Sequence, residues 1–388
     1  MAGHSTKRFA ELDSLRGLAA LTVVFHHFLL TWLAETFPVA AHRESDFITF
    51  LLLPVSAGRE AVILFFVLSG FVLSLPAVDG RPQAYSVFVL RRIFRIYFPY
   101  LVALSLAVLG NIFLHGDPTR SNYFGTIWPV PVDWQNLGQH ILFLGHYDTD
   151  TLNPPFWTLV LEMRISLVFP LLCALVLKMR PARALWMAAC VSAAAIAASY
   201  LLHSDVADDL VFDTLHCVSL FVVGIVLAWQ RDRISAAFLR LSRKKKIAMA
   251  GLSLMLYWFG GFLFLHLMRK VAATGGDDLP DWFTACGSAG LIVLCLNSQR
   301  LKRVLHWSPI HSLGKMSYSL YLLHFMVMFA FIHLLYGRLP LLAIFVLCLP
   351  ADLALSWAFY RWIEAPFLQM GRWLSERLSN PLAGPLPR

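Results

Sequence analysis

The chain has 388 residues, of which 58% are hydrophobic and only 14% are charged, and its mean hydropathy is +0.65. A soluble protein needs far more charge to cover its surface, so this composition excludes the soluble globular class. The net charge of +9 does not indicate nucleic-acid binding, because the basic residues cluster between apolar segments, where membrane topology accounts for them. We predict an all-α polytopic membrane protein with about ten transmembrane helices around a central cavity.

Ten apolar segments are long enough, within a few residues, to cross about 30 Å of hydrocarbon. In chain order we predict spans at 13–34, 59–76, 96–115, 156–178, 183–202, 212–230, 247–267, 283–298, 315–336 and 340–363. The first could be mistaken for a signal peptide, but its long apolar stretch favours a retained anchor. The spans form one transmembrane domain over 1–370, and 371–388 is predicted to be a short cytoplasmic tail.

Lys and Arg indicate the orientation of these spans, because basic residues concentrate in cytoplasmic loops. With both termini inside, most basic residues fall on the cytoplasmic side. The outer side then holds only Arg43, Arg59, Arg120, Arg269, Lys270 and Arg338. We therefore predict an integral protein of the cytoplasmic (inner) membrane with both termini in the cytoplasm.

The first span carries two ionisable residues, Arg16 and His27. Their spacing returns to within about 20° on a helix, about 16 Å further along the axis. A guanidinium therefore lies at the cytoplasmic mouth and an imidazole near the bilayer centre on the same face. A lone membrane histidine is more often a packing or hydrogen-bonding residue, but the alignment with Arg16 favours a functional His27. His26 points about 100° away and is the weaker candidate.

Three other polar residues lie on spans that enter from the outer side. Ser69 lies about ten residues inward from outside, and Glu162 lies about 9 Å below the outer boundary. Glu60 begins the span of Ser69 at its outer edge. A base, carboxylates and a hydroxyl in one cavity would form a general acid–base site.

Each of these residues also has a structural interpretation. Glu162 could pair with Arg164, although their separation of about 200° around the helix makes that pair awkward. Ser69 and Gly70 are more often a close-packing site than a source of a nucleophile.

Arg91, Arg92 and Arg95 lie together where the third span leaves the cytoplasm. Positive-inside anchoring is one explanation for them. The functional alternative is a guanidinium cluster that binds phosphate groups bidentately. A cytosolic, phosphate-rich carrier such as coenzyme A fits that alternative.

Later segments give weaker signals. Segment 136–145 is apolar but too short to span, and we expect it to re-enter the membrane or lie at its interface. His324 lies about 10 Å into the ninth span from the cytoplasmic side and is expected to face a cavity. The six cysteines lie in apolar segments without a C-x-x-C pair, so we predict neither disulfides nor a metal site.

Several motifs in this order resemble the acyltransferase-3 family. The first is Leu12-Asp13-x-Leu15-Arg16-Gly17, followed ten residues after its arginine by His27. The others are Phe65-Phe66-x-x-Ser69-Gly70-Phe71, Arg91-Arg92-x-x-Arg95-Ile96-x-x-Pro99, Trp157-Thr158-Leu159-x-x-Glu162, Ser317-Tyr318-Ser319-x-Tyr321-Leu322-x-His324 and Glu364-x-Pro366.

The resemblance implies an integral membrane enzyme that takes acyl groups from a cytosolic donor, usually acetyl-CoA. Such enzymes acylate hydroxyl groups of extracytoplasmic sugars or, in some branches, of antibiotics and lipids. The resemblance makes His27 the catalytic base, Arg16 a site-organising or donor-binding cation and Glu162 a carboxylate of the site. The sequence departs from the family pattern at two positions. Thr158 stands where many members carry serine, and Arg164 adds a charge that not all members have.

The resemblance also makes Arg91, Arg92 and Arg95 the donor-binding cluster, and we assign Ser69 and His324 to donor binding with them. The expected partners are acetyl-CoA or another acyl-CoA, an extracytoplasmic carbohydrate or glycolipid, and the lipid bilayer, without nucleic acid or metal. Direct transfer and an acyl-histidine intermediate both stay open.

A different class of function is also compatible with buried ionisable residues. A secondary transporter or flippase could use His27 and Glu162 as a proton relay. Such proteins often contain paired repeats, and the sequence shows none.

Overall fold

The computed structural model describes residues 9–36, 50–114, 128, 131–145, 148–202, 206–267 and 279–379. Within these ranges every regular element is helical, which confirms the predicted all-α polytopic class. The helices are α1 (Ala10–Thr36), α2 (Gly58–Val78), α3 (Tyr85–Leu114), α4 (Trp134–Leu142), α5 (Phe156–Leu177), α6 (Pro181–Leu202), α7 (Val206–Trp229), α8 (Arg231–Arg240), α9 (Arg243–Leu267), α10 (Asp281–Asn297), α11 (Gln299–Leu305), α12 (Ser308–Lys315), α13 (Ser317–Leu335), α14 (Leu341–Phe359) and α15 (Ala365–Ser379).

Eight of the ten predicted spans coincide with helices that are long and apolar enough to cross a membrane. The predicted seventh and eighth spans are helices too, but in the described part of the chain they do not reach that standard. Helix α9 opens with four consecutive basic residues. Helix α10 has 17 residues, which is about 25 Å at 1.5 Å per residue. Length and composition therefore support eight spans where the sequence predicts ten.

The chain forms two compact units, and each is built from two separate stretches of sequence. The first unit comprises Met1–Arg81 and Leu171–Ser317, and the second comprises Pro82–Pro170 and Tyr318–Arg388. The first unit therefore holds α1, α2 and α6 to α12. The second holds α3, α4, most of α5 and α13 to α15.

Helices α2 and α7 of the first unit touch through their backbones. A Cβ atom added at Gly70 would lie 2.1 Å from the carbonyl oxygen of Phe221, and one added at Gly224 would lie 2.1 Å from that of Val67. Small residues permit this approach where membrane helices associate mainly by van der Waals packing. The close-packing interpretation is thus confirmed for Gly70.

A polar network joins four helices of the same unit around the buried Asp281, the first residue of α10. Its carboxylate accepts hydrogen bonds from Arg59 Nε at 2.8 Å and from Arg59 Nη2 at 3.0 Å. His216 Nε2 lies 3.2 Å from the same carboxylate, and His216 Nδ1 lies 2.8 Å from Ser192 Oγ. The network connects α2, α6, α7 and α10 through satisfied polar groups, the condition under which burial of a charge is tolerated.

In the second unit, α3 begins earlier than the sequence predicts. The predicted third span starts at residue 96, whereas α3 starts at Tyr85, so the arginine cluster lies inside a continuous helix. Residues Ile93–Tyr97 of α3 form a π-helical turn, and a second one, Tyr360–Glu364, joins α14 to α15. Both turns fall on motif residues, and such turns often mark functional sites.

The predicted apolar segment 136–145 contains the short helix α4. Asp133 caps its N-terminus by accepting hydrogen bonds from the backbone N–H groups of Gln135 and Asn136. The hydroxyl of Tyr100 on α3 lies 2.9 Å from His140 Nδ1 and fixes the other end. Helix α4 is therefore anchored to the middle of α3.

Helix α15 runs through the predicted tail. It extends to Ser379, and the side chain of Ser375 is buried. The predicted boundary at residue 370 thus falls inside a helix of the second unit. The rest of that tail, 380–388, lies outside the described residues.

Candidate active site

Arg92 and Glu162 form a buried ion pair in the second unit. Arg92, only 6% exposed, donates from Nη2 to Glu162 Oε1 at 2.5 Å and from Nε to Ser166 Oγ at 3.1 Å. Glu162 and Ser166 share one face of α5 because they are four residues apart. The cation therefore has an acceptor for two of its donor groups, which lowers the cost of its burial.

This pair places Glu162 beside the arginine cluster, whereas the sequence prediction counts its depth from the outer end of its span. Helix α5 begins at Phe156, whose ring contacts that of Tyr100 with centroids 4.6 Å apart. Tyr100 lies in the middle of α3, which continues to Leu114. The first residue of α5 is therefore beside the middle of α3, and Glu162 reaches the arginine cluster.

The other two arginines of the cluster have different surroundings. Arg91 donates from Nε to Ser375 Oγ of α15 at 2.8 Å. Arg95 lies in the π-helical turn and is half-buried. Arg92 and Arg95 are close enough for their charges to repel each other. The cluster thus places several guanidinium groups together, and the carboxylate of Glu162 balances one of them.

Helix α13 adds polar groups for which the sequence motif gave no role. Tyr318 donates its hydroxyl hydrogen to the carbonyl oxygen of Ile96, in the π-helical turn of α3, at 2.9 Å. Ser319 donates to Glu364 Oε2 at 2.6 Å, and Glu364 is only 2% exposed. The Tyr318 hydroxyl interacts electrostatically with Arg92, Arg95, Glu162 and Glu364. These residues extend the site, and the only sequence signal for them was the family-like motifs.

His324 lies one and a half turns further along α13 and is buried. Its Nδ1 donates to the backbone carbonyl oxygen of Tyr321 at 2.9 Å, so Nε2 is the basic atom of the neutral ring. The hydroxyl of Tyr321 lies 2.7 Å from Thr158 Oγ1. Thr158, one of the two departures from the resembled motifs, thus joins α5 to α13 through its hydroxyl group.

The remaining predicted residues belong to the first unit. Arg16 lies 3.6 Å from the carboxylate of Asp13, one turn earlier on α1. His27 is half-buried. His26 donates from Nδ1 to the carbonyl oxygen of Ser56 at 2.9 Å. Ser69 is buried on α2.

The structure therefore brings together Arg91, Arg92 and Glu162 with the neighbouring groups of α13, all within the second unit. His27, Arg16 and Ser69 lie in the first unit, and their assignment to the same site stays a proposal. Among the residues that the structure describes, no group of three His, Cys, Asp or Glu side chains is arranged to hold a metal ion.

The resemblance of these motifs to one family extends to almost the whole sequence. Residues 9–361 match the model of the acyltransferase-3 family, which is described as an acyltransferase domain. The chain belongs to this family. Membership confirms the predicted enzyme class.

Individual relatives agree with this class. The chain is 28% identical over 340 residues to acyltransferase MdmB of Streptomyces mycarofaciens, covering 82% of this chain and 79% of MdmB. It is 21% identical over 391 residues to O-acetyltransferase OatA of Staphylococcus aureus, covering 95% of this chain and 58% of OatA. It is 26% identical to the putative membrane-bound transacylase BcsY of Komagataeibacter xylinus, covering 82% of this chain and 72% of BcsY. No solved structure gives a significant match.

The protein is thus a membrane O-acyltransferase of the acyltransferase-3 family. Family membership therefore supports the acyltransferase interpretation of the sequence and gives no support to the transporter or flippase alternative. The helices that are long and apolar enough to span a membrane agree with an integral membrane protein.

Proposed function

We propose that this enzyme transfers an acyl group, in the simplest case acetyl, from cytosolic acyl-CoA to a hydroxyl group of an extracytoplasmic sugar or glycolipid. The observation that carries the proposal is the cluster of the buried Arg92 with the half-buried Arg91 and Arg95 in a chain of this family. Ionisable side chains inside a membrane segment are costly, and their default interpretation is functional. The proposal includes a location in the cytoplasmic membrane with both termini in the cytoplasm.

The arginine cluster is assigned to the donor because coenzyme A carries several phosphate groups. Glu162 balances the charge of Arg92, so Arg91 and Arg95 supply the positive charge available to a ligand. Planar guanidinium groups bind phosphate bidentately. In this proposal the ion pair of Arg92 and Glu162 holds α3 against α5 and so positions the cluster. Ser69 and His324 are further donor-binding residues.

His27 is assigned as the general base. Its neutral imidazole takes the proton of the acceptor hydroxyl, whose oxygen attacks the thioester carbonyl carbon. The C–S bond then breaks, and the thiolate of coenzyme A receives the proton from the imidazolium. Arg16 organises the site or binds the donor. In the alternative two-step route, the imidazole attacks the thioester first and the acceptor removes the acyl group from His27.

Two observations favour His27 over its neighbour. The Nδ1–H group of His26 is used in the hydrogen bond to Ser56, and a Cβ atom added at Gly58 would lie 2.3 Å from the ring of His26. His26 therefore has a packing role that fixes its ring. His27, on the same helix as Arg16, is the residue left for proton transfer.

The base is tested with purified protein in nanodiscs, acetyl-CoA and a sugar acceptor. His27→Ala should lower kcat for acetyl transfer by about 10²- to 10⁴-fold, the usual contribution of a general base. His26→Gln is the matched control and should keep most of the activity. Full acetylation by a correctly inserted His27→Ala protein would remove the base assignment. Radiolabelled acetyl-CoA without acceptor tests the two-step route, because only that route leaves label on His27.

The donor site is tested by the double substitution Arg91→Gln/Arg95→Gln. The KM for acetyl-CoA should rise more than kcat falls, because the lost contacts bind the donor equally in the ground state and the transition state. Arg180→Gln changes an exposed basic residue and serves as the control. An unchanged KM for acetyl-CoA would return these arginines to a topological role.

A further inference from the structure

A cavity of about 390 Å³ lies in the second unit at the end of α3 opposite the arginine cluster. Its volume is near the lower end of the range for small-molecule sites, about 300–1,000 Å³. We call it the α4 cavity. Its polar lining residues include Asn111 of α3, Asp133 at the N-cap of α4, Gln135, Asn136 and Gln139 of α4, and Asp148.

The walls of the α4 cavity are held by hydrogen bonds. His140 Nε2 donates to the carbonyl oxygen of Asp148 at 3.1 Å, so Nδ1 is the acceptor for the hydroxyl of Tyr100. Asn136 Nδ2 donates to the same carbonyl oxygen at 3.0 Å and to Thr151 Oγ1 at 3.2 Å. These bonds connect α3, α4 and the turn at 148–151, so the cavity is preformed.

Burial lowers the pKa of His140 to about 4, and the hydrogen bond to Asp148 offsets only part of this effect. The imidazole is therefore neutral near pH 7. A neutral ring carries its one proton on Nε2, which is the tautomer that the two hydrogen bonds select.

Several lining groups have hydrogen-bonding capacity that the described residues do not use. The side-chain amides of Gln135 and Gln139 make no hydrogen bond to any residue that the structure describes, and the same holds for Asn136 Oδ1. Each oxygen of the Asp133 carboxylate accepts one backbone N–H group, although a carboxylate can accept about four hydrogen bonds. The cavity can therefore both donate to and accept from a ligand at several points.

The charges decide which ligand fits. The described lining residues include two carboxylates and no Lys or Arg, and these charges disfavour an anionic phosphate or carboxylate ligand. Sugar hydroxyl groups donate and accept at once, which matches amides beside carboxylates. We propose that the α4 cavity binds a neutral sugar residue. Its role as the acceptor subsite rests on the proposed function, whereas the binding itself does not.

The binding test uses the full chain in nanodiscs and saturation-transfer NMR. The probes are the methyl glycosides of glucose, galactose and N-acetylglucosamine, with glucose 6-phosphate as the anionic comparison. At least one neutral glycoside should bind, and the double variant Gln135→Leu/Gln139→Leu should weaken it about tenfold or more, since it removes two neutral hydrogen-bond partners. Gln299→Leu, an exposed glutamine of the first unit, is the matched control and should bind as wild type.

Failure of binding by every neutral glycoside, equal binding by the double variant, or equal binding of glucose 6-phosphate would overturn the proposal. A second readout separates it from the proposed function. The double variant should raise the KM for the sugar acceptor while the KM for acetyl-CoA stays unchanged. Glycoside binding without acetyl transfer would reject the proposed function and leave the sugar site standing. Acetyl transfer with an unchanged acceptor KM in the double variant would reject the acceptor subsite alone.

Discussion

The ion pair between Arg92 and Glu162 should be worth far more than an ordinary surface salt bridge. The side chains are 7% and 22% exposed. Two unit charges about 4 Å apart attract by about 4 kcal/mol at an effective dielectric constant of 20. Removal of one partner from a buried pair costs about 3–5 kcal/mol, because the other charge stays buried.

The two single substitutions should differ. Glu162→Met leaves a buried guanidinium that cannot lose its proton. We therefore expect this substitution to lower the free energy of unfolding by about 4 kcal/mol. Arg92→Met leaves the more exposed carboxylate, which can be solvated or take up a proton, and should cost about 1–3 kcal/mol. The double variant replaces the pair by apolar groups and should lie within about 1 kcal/mol of wild type.

Reversible unfolding by SDS in mixed micelles, measured for the four proteins of this cycle, gives the coupling free energy between the two residues. We expect it to exceed about 2 kcal/mol. Additive losses, or a Glu162→Met loss below about 1 kcal/mol, would show that the guanidinium is solvated and would refute the argument from burial.

Three further outcomes follow from the described contacts. Gly70→Ala should destabilise the first unit by about 1–3 kcal/mol, since the added Cβ would meet the backbone of Phe221; a melting temperature equal to wild type in detergent would contradict this. Asp281→Ala should cost about 1–3 kcal/mol because His216 loses a buried acceptor, while Asp281→Asn, which keeps an acceptor oxygen, should cost less than half as much in the same melt. The folded-state pKa of His140, about 4, lies below its unfolded value of about 6.5, so the stability contributed by the neutral ring should be lost as the pH drops from about 6.5 to 4. The difference in melting temperature between wild type and His140→Gln should therefore shrink towards pH 4, and a pH-independent difference would contradict this.

The sequence determined the class of the protein and its helices. Hydropathy alone locates a span because a bilayer accepts only long apolar segments with internally satisfied backbones. This rule placed a helix at every predicted span, and it failed only where length or composition was marginal, as in α10. The motifs likewise determined the family, since their order along the chain is a property of the sequence itself.

The depth of a polar side chain within the helix bundle was harder to predict than the position of a helix along the chain. Depth was counted from the ends of predicted spans, on the assumption that every span starts at a membrane surface. Helix α5 starts instead beside Tyr100, in the middle of α3, and this brought Glu162 to Arg92. No local pattern encodes where a long loop folds back, because that depends on contacts between residues far apart in sequence.

Local periodicity and hydropathy were enough to reveal the membrane helices, the basic cluster and the face shared by Arg16 and His27. Only the tertiary structure decided that Arg92 pairs with Glu162, that Ser319 donates a hydrogen bond to Glu364, and that α4 and the 148–151 turn line a cavity. The physical reason is the range of the interactions: helix formation and membrane partition depend on neighbouring residues, whereas pairing of buried charges and the shape of a cavity depend on which distant segments meet.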